Sequence, residues 1–195
     1  MTGYSRYVLM RVICVILPVV YLLAVSPVLH ANEPGEIRIA DTRAWSDEDG
    51  VYLDAQFIIQ LSIGAREALE NGVPLTFELQ MQIVKTHTWF WDTVEVERIL
   101  YRQLQYHALS QSYLVRDVET GTQGNYSRLG DALAAVGMTG ELLMTDQPLV
   151  QESTYIARLR GSHDIESLPT PVRLLAYVSS EWDMGSEWYT WPLNR

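Results

Sequence analysis

The stretch Leu75–Val84 alternates without a break. Leu75, Phe77, Leu79, Met81 and Ile83 fall on one side, Thr76, Glu78, Gln80 and Gln82 on the other. Only an extended chain has a side-chain period of two, so this segment reads as a strand with one face in a core and one in water. Val51, Leu53, Ala55, Phe57, Ile59 and Leu61 repeat the pattern. Two such strands cannot bury their apolar faces alone, so the chain must build a larger sheet system around them.

The rest of the chain supplies further strands. Ile37–Trp45 precedes the acidic turn Asp47-Glu48-Asp49-Gly50, and Asp-Gly is a strong tight-turn signal, so the first two strands form a hairpin. Ser62 caps a short helix that runs to Asn71, with Gly72 as its stop and Pro74 blocking any continuation. His87–Thr93 is a turn loaded with Trp89, Phe90 and Trp91. Val94–Leu109 fits two patterns. As a strand it aligns Val94, Val96, Leu100, Leu104 and Tyr106, with Arg98 and Arg102 intruding; as a helix it aligns Val96, Ile99, Leu100, Gln103, Leu104 and His107. Its flanking strands and the lack of a helix cap favour a strand, long enough to need a bend or bulge.

Ser112–Glu119 is a further strand and residues 120–124 a turn. Ser127 caps a helix to Val136, stopped by Gly137. Thr154–Gly161, Val172–Ser179 (led in by Leu168–Pro171) and Glu187–Leu193 complete the strands. The expected fold is mainly β: an antiparallel β-sandwich or strongly curved sheet with two short helices. An α+β layer with both helices on one sheet face is the alternative.

The start of the chain is of another kind. Arg6 and Arg11 are its only charges before Glu33, and Val12–Val25 is apolar apart from Pro18. Pro27 and the small Ala31 follow. This is the order of a signal peptide, a hydrophobic helix cleaved after a small residue. An uncleaved membrane anchor, with the two arginines inside, is the competing reading. The expected organisation is therefore residues 1–31 as signal peptide or anchor and residues 32–195 as a single β-rich extracytoplasmic domain. The expected location is the periplasm, with inner-membrane anchoring as the alternative and membrane contact only through residues 1–31.

Residues 32–195 carry all 24 acids and 12 of the 14 basic side chains, a net charge of −12. That excess argues against nucleic acid and against docking to anionic lipid. The single cysteine, Cys14, lies in the leader, so the domain has no disulfide of its own and rests on its core.

No catalytic residue stands out. His87, His107 and His163 have no second histidine at metal-binding spacing, and no metal or cofactor is expected. His87 and His163 read as loop residues and His107 as a partly buried strand residue. The acidic turn fails the calcium-loop pattern, with Trp45 and Gln56 where acids are needed. No Gly-x-Ser-x-Gly elbow or phosphate loop occurs. The one enzymatic option with enough parts is an envelope glycan hydrolase using paired carboxylates, Glu95 and Glu97, roughly 7 Å apart on one strand face.

Six Trp and eleven Tyr against three Phe is a skewed aromatic set. Trp and Tyr combine an apolar body with a polar handle and are favoured at interfaces. Trp89, Trp91, Trp182, Trp188 and Trp191 are the candidate binding patch if exposed together.

Gly72-Val73-Pro74-Leu75 with Phe77, then Trp89, Trp91 and Asp92, then Tyr106-His107-Ala108-Leu109 with Tyr113, form an ordered set. Leu129–Gly137, Leu168-Pro169 with Pro171, and Trp182, Trp188 and Trp191 extend it. This pattern resembles an uncharacterised exported proteobacterial family, domain of unknown function family 4390, over nearly all of residues 32–195. The resemblance implies an N-terminal signal and no assigned activity. It also implies genes that lie beside one for a membrane sensor kinase, hence an accessory role outside the membrane. The expected function is a non-enzymatic exported module that binds a protein partner or envelope component.

Overall fold

The computed structural model describes residues 34–193 except 48, 88, 90, 148, 151 and 152. The leader reading falls on residues 1–31, outside the described residues, as does Phe90.

β1 (Glu36–Asp47) and β2 (Gly50–Gln60) form the expected hairpin. Asp47 closes its acidic turn, its carboxylate accepting from the Asp49 and Gly50 N–H groups at 2.9 and 3.1 Å. β7 (Leu142–Thr145) pairs with β2 to make a three-stranded sheet, order β1-β2-β7. The second sheet has six strands, all antiparallel, in the order β6-β5-β4-β3-β8-β9. Its members are β3 (Leu75–Thr86), β4 (Thr93–His107), β5 (Ser112–Asp117), β6 (Gln123–Tyr126), β8 (Thr154–His163) and β9 (Tyr189–Pro192). The apolar residues of β2 and β3 that the alternation singled out are all buried, and they share one core with Leu100, Leu104, Val115, Tyr155, Ala157 and Leu159. The architecture is the expected antiparallel sandwich.

The sheets approach closely at Gly161 of β8. A Cβ there would stand 2.7 Å from Ile37 Cγ2 and 3.1 Å from Phe57 Cδ1, so only glycine fits under the smaller sheet. α1 (Ile63–Glu70) is capped by Ser62, whose Oγ accepts from the Ala65 N–H at 3.2 Å, and buries Ala65 and Leu69. α2 (Leu129–Gly137) closes on β2, with Gly137 tight against the Phe57 carbonyl.

Four expectations are corrected. The Val172–Ser179 segment is not a strand: Thr170–Ala176 is a third helix, α3, with Pro171 in its first turn where a missing N–H costs nothing. α2 starts after Arg128, and no side chain caps it, Ser127 included. The expected turn at residues 120–124 gives way at Gln123 to β6, which like the unanticipated β7 is four residues long, too short an alternation to be seen in sequence. His163 ends β8 and is buried, whereas His107 is exposed. Among the described residues no helix is long and apolar enough to cross a membrane.

Candidate functional site

β3 and β4 are the longest strands of the large sheet, and their hairpin carries the turn His87–Asp92. Pairing holds to Thr86 on β8 and to Lys85–Thr93 within the hairpin, so paired strands lead into and out of this segment. Asp92 braces it, its Oδ1 accepting from the His87 N–H at 3.3 Å. At the tip Trp89 is 88% and Trp91 92% exposed. Large aromatics are ordinarily among the most buried side chains, so two bare tryptophans on one braced turn are the clearest mark of a contact surface on the molecule.

The other three candidate tryptophans lie elsewhere. Trp182 is buried beside His163, ring centroids 5.9 Å apart. His163 pairs with Phe77, nine residues of β3 from Thr86, which puts Trp182 about 30 Å from the hairpin end. Trp191 sits opposite Ala157, packed on the core, with the Tyr189 ring 5.6 Å away. Trp188 is half-buried under two guanidinium groups, Arg158 at 4.7 Å and Arg160 at 5.1 Å from its ring centroid. Trp89 and Trp91 share the hairpin turn and Trp188 precedes the strand that holds Trp191, but with Trp182 buried the five do not form one patch.

Trp188 ends a polar network that sequence reading missed. On the outer face of the large sheet, Glu97 of β4 accepts from Gln80 Nε2 at 2.6 Å and from Gln82 Nε2. Gln82 Oε1 accepts in turn from Arg158 Nε, and Gln80 Oε1 from Arg160 Nη2 at 3.1 Å. The chain of contacts thus runs β4–β3–β8 to the Trp188 ring. Its members are spaced two apart on β3 and on β8, which was visible; the pairing of those strands across about eighty residues was not.

This network bears on the paired-carboxylate chemistry. The hydrogen bonds from Gln82 and Gln80, with the charge of Arg158 behind them, hold the Glu97 carboxyl below its usual range. A glycosidic acid needs the opposite shift, a carboxyl kept protonated by an apolar site. Glu95 is the extra residue of a bulge in β4, where Ile83 pairs with Val96 and Val84 with Val94. The regular alternation that would set it beside Glu97 is broken there. Neither glutamate lines any of the three cavities described. The largest, about 680 Å³, is an open groove between β1 (Glu36, Arg38) and the segment Asp183–Tyr189, with Trp188 in its wall. Among the described residues no group of His, Cys, Asp and Glu is arranged to hold a metal ion.

The family model Domain of unknown function (DUF4390) matches residues 35–192. No curated protein and no solved structure matches the chain. The chain belongs to the DUF4390 family.

Proposed function

We propose that this member of the DUF4390 family is an exported, non-enzymatic binding module that docks a protein partner of the cell envelope through its Trp89–Trp91 hairpin tip. The observation that carries the reading is the exposure of both rings, 88% and 92%, on a turn held by twelve- and fifteen-residue strands. A rigid aromatic anchor loses little entropy on docking and fills a pocket well, which is why tryptophan dominates interface hot spots. The leader pattern around Arg6, Arg11 and Val12–Val25 supports export to the periplasm, with the chain soluble there or held by an anchor. The family resemblance adds a membrane sensor kinase as the form the partner takes. The net charge of residues 32–195 supports a protein rather than an anionic lipid surface as the target.

The test is site-specific photocrosslinking in intact cells from positions 89 and 91, followed by identification of the adduct. One reproducible envelope protein is expected. Trp89→Ala and Trp91→Ala are each expected to weaken its binding by about 2 kcal/mol or more, roughly thirtyfold, with the melting temperature unchanged. A tip that yields no adduct, or an adduct retained undiminished in the double alanine variant, overturns the reading.

A further inference from the structure

We propose that β1 is a self-pairing edge, and that two copies of this chain associate through an antiparallel β1–β1 pairing in a single register. It does not depend on the aromatic tip.

The large sheet and the small sheet end in β6, β9, β7 and β1. The first three have four residues each, and short edges are one of the ways proteins blunt unpaired strands. β1 has twelve. Among the described residues its backbone bonds only to β2, and its other side is a row of free donors and acceptors. The other long unpaired run, Thr93–Leu100 of β4, is crossed by Arg98, whose Nε donates to the Met144 carbonyl of the small sheet's β7 at 3.3 Å. Beside the first residues of β1 lies the open groove of about 680 Å³.

What selects the partner is charge. The pairing partners of Glu36, Arg38, Asp41 and Arg43 are Gln60, Ile58, Gln56 and Asp54. These alternate regularly on β2, so all four residues share the outer face and present their backbones to the same side. The change of parity between Arg38 and Asp41 comes from the bulge at Ile39/Asp41. All four are exposed, and their signs read minus, plus, minus, plus. Place a two-fold axis at the bulge. Glu36 then faces the second copy's Arg43, Arg38 faces its Asp41, and symmetry repeats both pairs. Ile37 falls opposite Thr42, inner face to inner face. A slip of two residues one way sets Glu36 against Asp41; the other way sets Arg38 against Arg43. Of these three registers only the first is free of like charges, and it is the one that pairs all four residues with opposite charges. Exposed ion pairs contribute little affinity, but like charges directly opposite are repelled, so the pattern acts on register while the backbone ladder holds the copies. The product is a continuous six-stranded sheet across the two small sheets, closed by the two-fold.

The test uses the full chain in cells with Cys14→Ser, which removes its only native thiol. E36C and R43C are introduced together and singly, and cells are treated with copper–phenanthroline. Within one copy the two positions stand about 20 Å apart along the strand, beyond the reach of an internal disulfide. The double variant is expected to give a disulfide-linked dimer and each single variant none. Adding Arg38→Glu to the double variant is expected to lower the dimer yield several-fold, and adding Asp41→Arg as well to restore it. A double variant that stays monomeric while fully folded by protease resistance overturns the pairing. Single variants that dimerise equally well, or yields indifferent to the charge swap, overturn the register.

Discussion

The carboxylate of Asp117 accepts from the Glu119 and Thr120 N–H groups at 2.9 and 2.8 Å and from Arg102 across the β4–β5 pair. Burial pushes its pKa up, but the Thr120 N–H, the Arg102 charge and the Glu119 N–H together bring it below the ordinary value. The group therefore stabilises the fold above the normal carboxylate range, and that contribution is lost as pH falls through its lowered value. Asp117→Asn is expected to cost about 2–3 kcal/mol in urea unfolding at pH 7, because a half-desolvated Arg102 loses its counter-charge. His163 moves stability in the same direction at higher pH. Burial lowers its pKa below 6.5, with the Trp182 carbonyl and Asp164 opposing. Below about pH 6.5 the unfolded chain takes up a proton that the folded ring refuses, so stability falls as the pH drops toward the lowered value. His163→Gln is expected to flatten the stability–pH curve just below about pH 6.5, measured by chemical denaturation. Neither role was legible from sequence. Arg98 and Arg102 only interrupted an apolar pattern, and the groups that satisfy them lie 46 and 15 residues away.

At the scale of elements, the long alternations were legible because a period of two sustained over ten residues has no other physical solution. β2, β3 and β4 follow from it, the last with the bulge its length demanded. α3 was misread because Val172, Leu174 and Ala176 also alternate, and its apolar face stays exposed at Leu174 and Leu175, which erases the helical stripe a core would impose. α1 was readable from its cap. Ser62→Ala is expected to cost about 1 kcal/mol, read as a lower urea midpoint at unchanged slope. Of the aromatic site, the tip could be placed on a turn from its position between two strands. Exposure could not, since Trp182 and Trp89 look alike in a sequence and differ only in what the fold lays over them.

At the scale of the whole molecule, no thiol in residues 32–195 ties one sheet to the other, so their contact is purely a matter of packing. Gly161→Val is expected to destabilise by about 1–3 kcal/mol, checked by thermal unfolding, because the added methyls meet Ile37 and Phe57 where the sheets touch. The same substitution at the equally glycine-bearing Gly130, where a Cβ meets nothing within 4 Å, is the control for a general loss of stability.

The central position of β3 sets a timetable. It pairs on one side with β4, a neighbour in sequence, and on the other with β8, so that Phe77 waits for His163, 86 residues later. A chain delivered from its N-terminus can form the β1–β2 and β3–β4 hairpins early. The second edge of β3 then stays unpaired until residues 154–163 have arrived, because long-range pairings are rewarded only after their loops have closed. During that interval β3 offers an unpaired, hydrophobic strand to anything nearby, the condition under which nascent chains aggregate or are taken up by chaperones. Truncations that remove β8 therefore deprive the molecule of its keystone rather than of an ornament, and the hairpin that bears the tryptophans is the part left stranded.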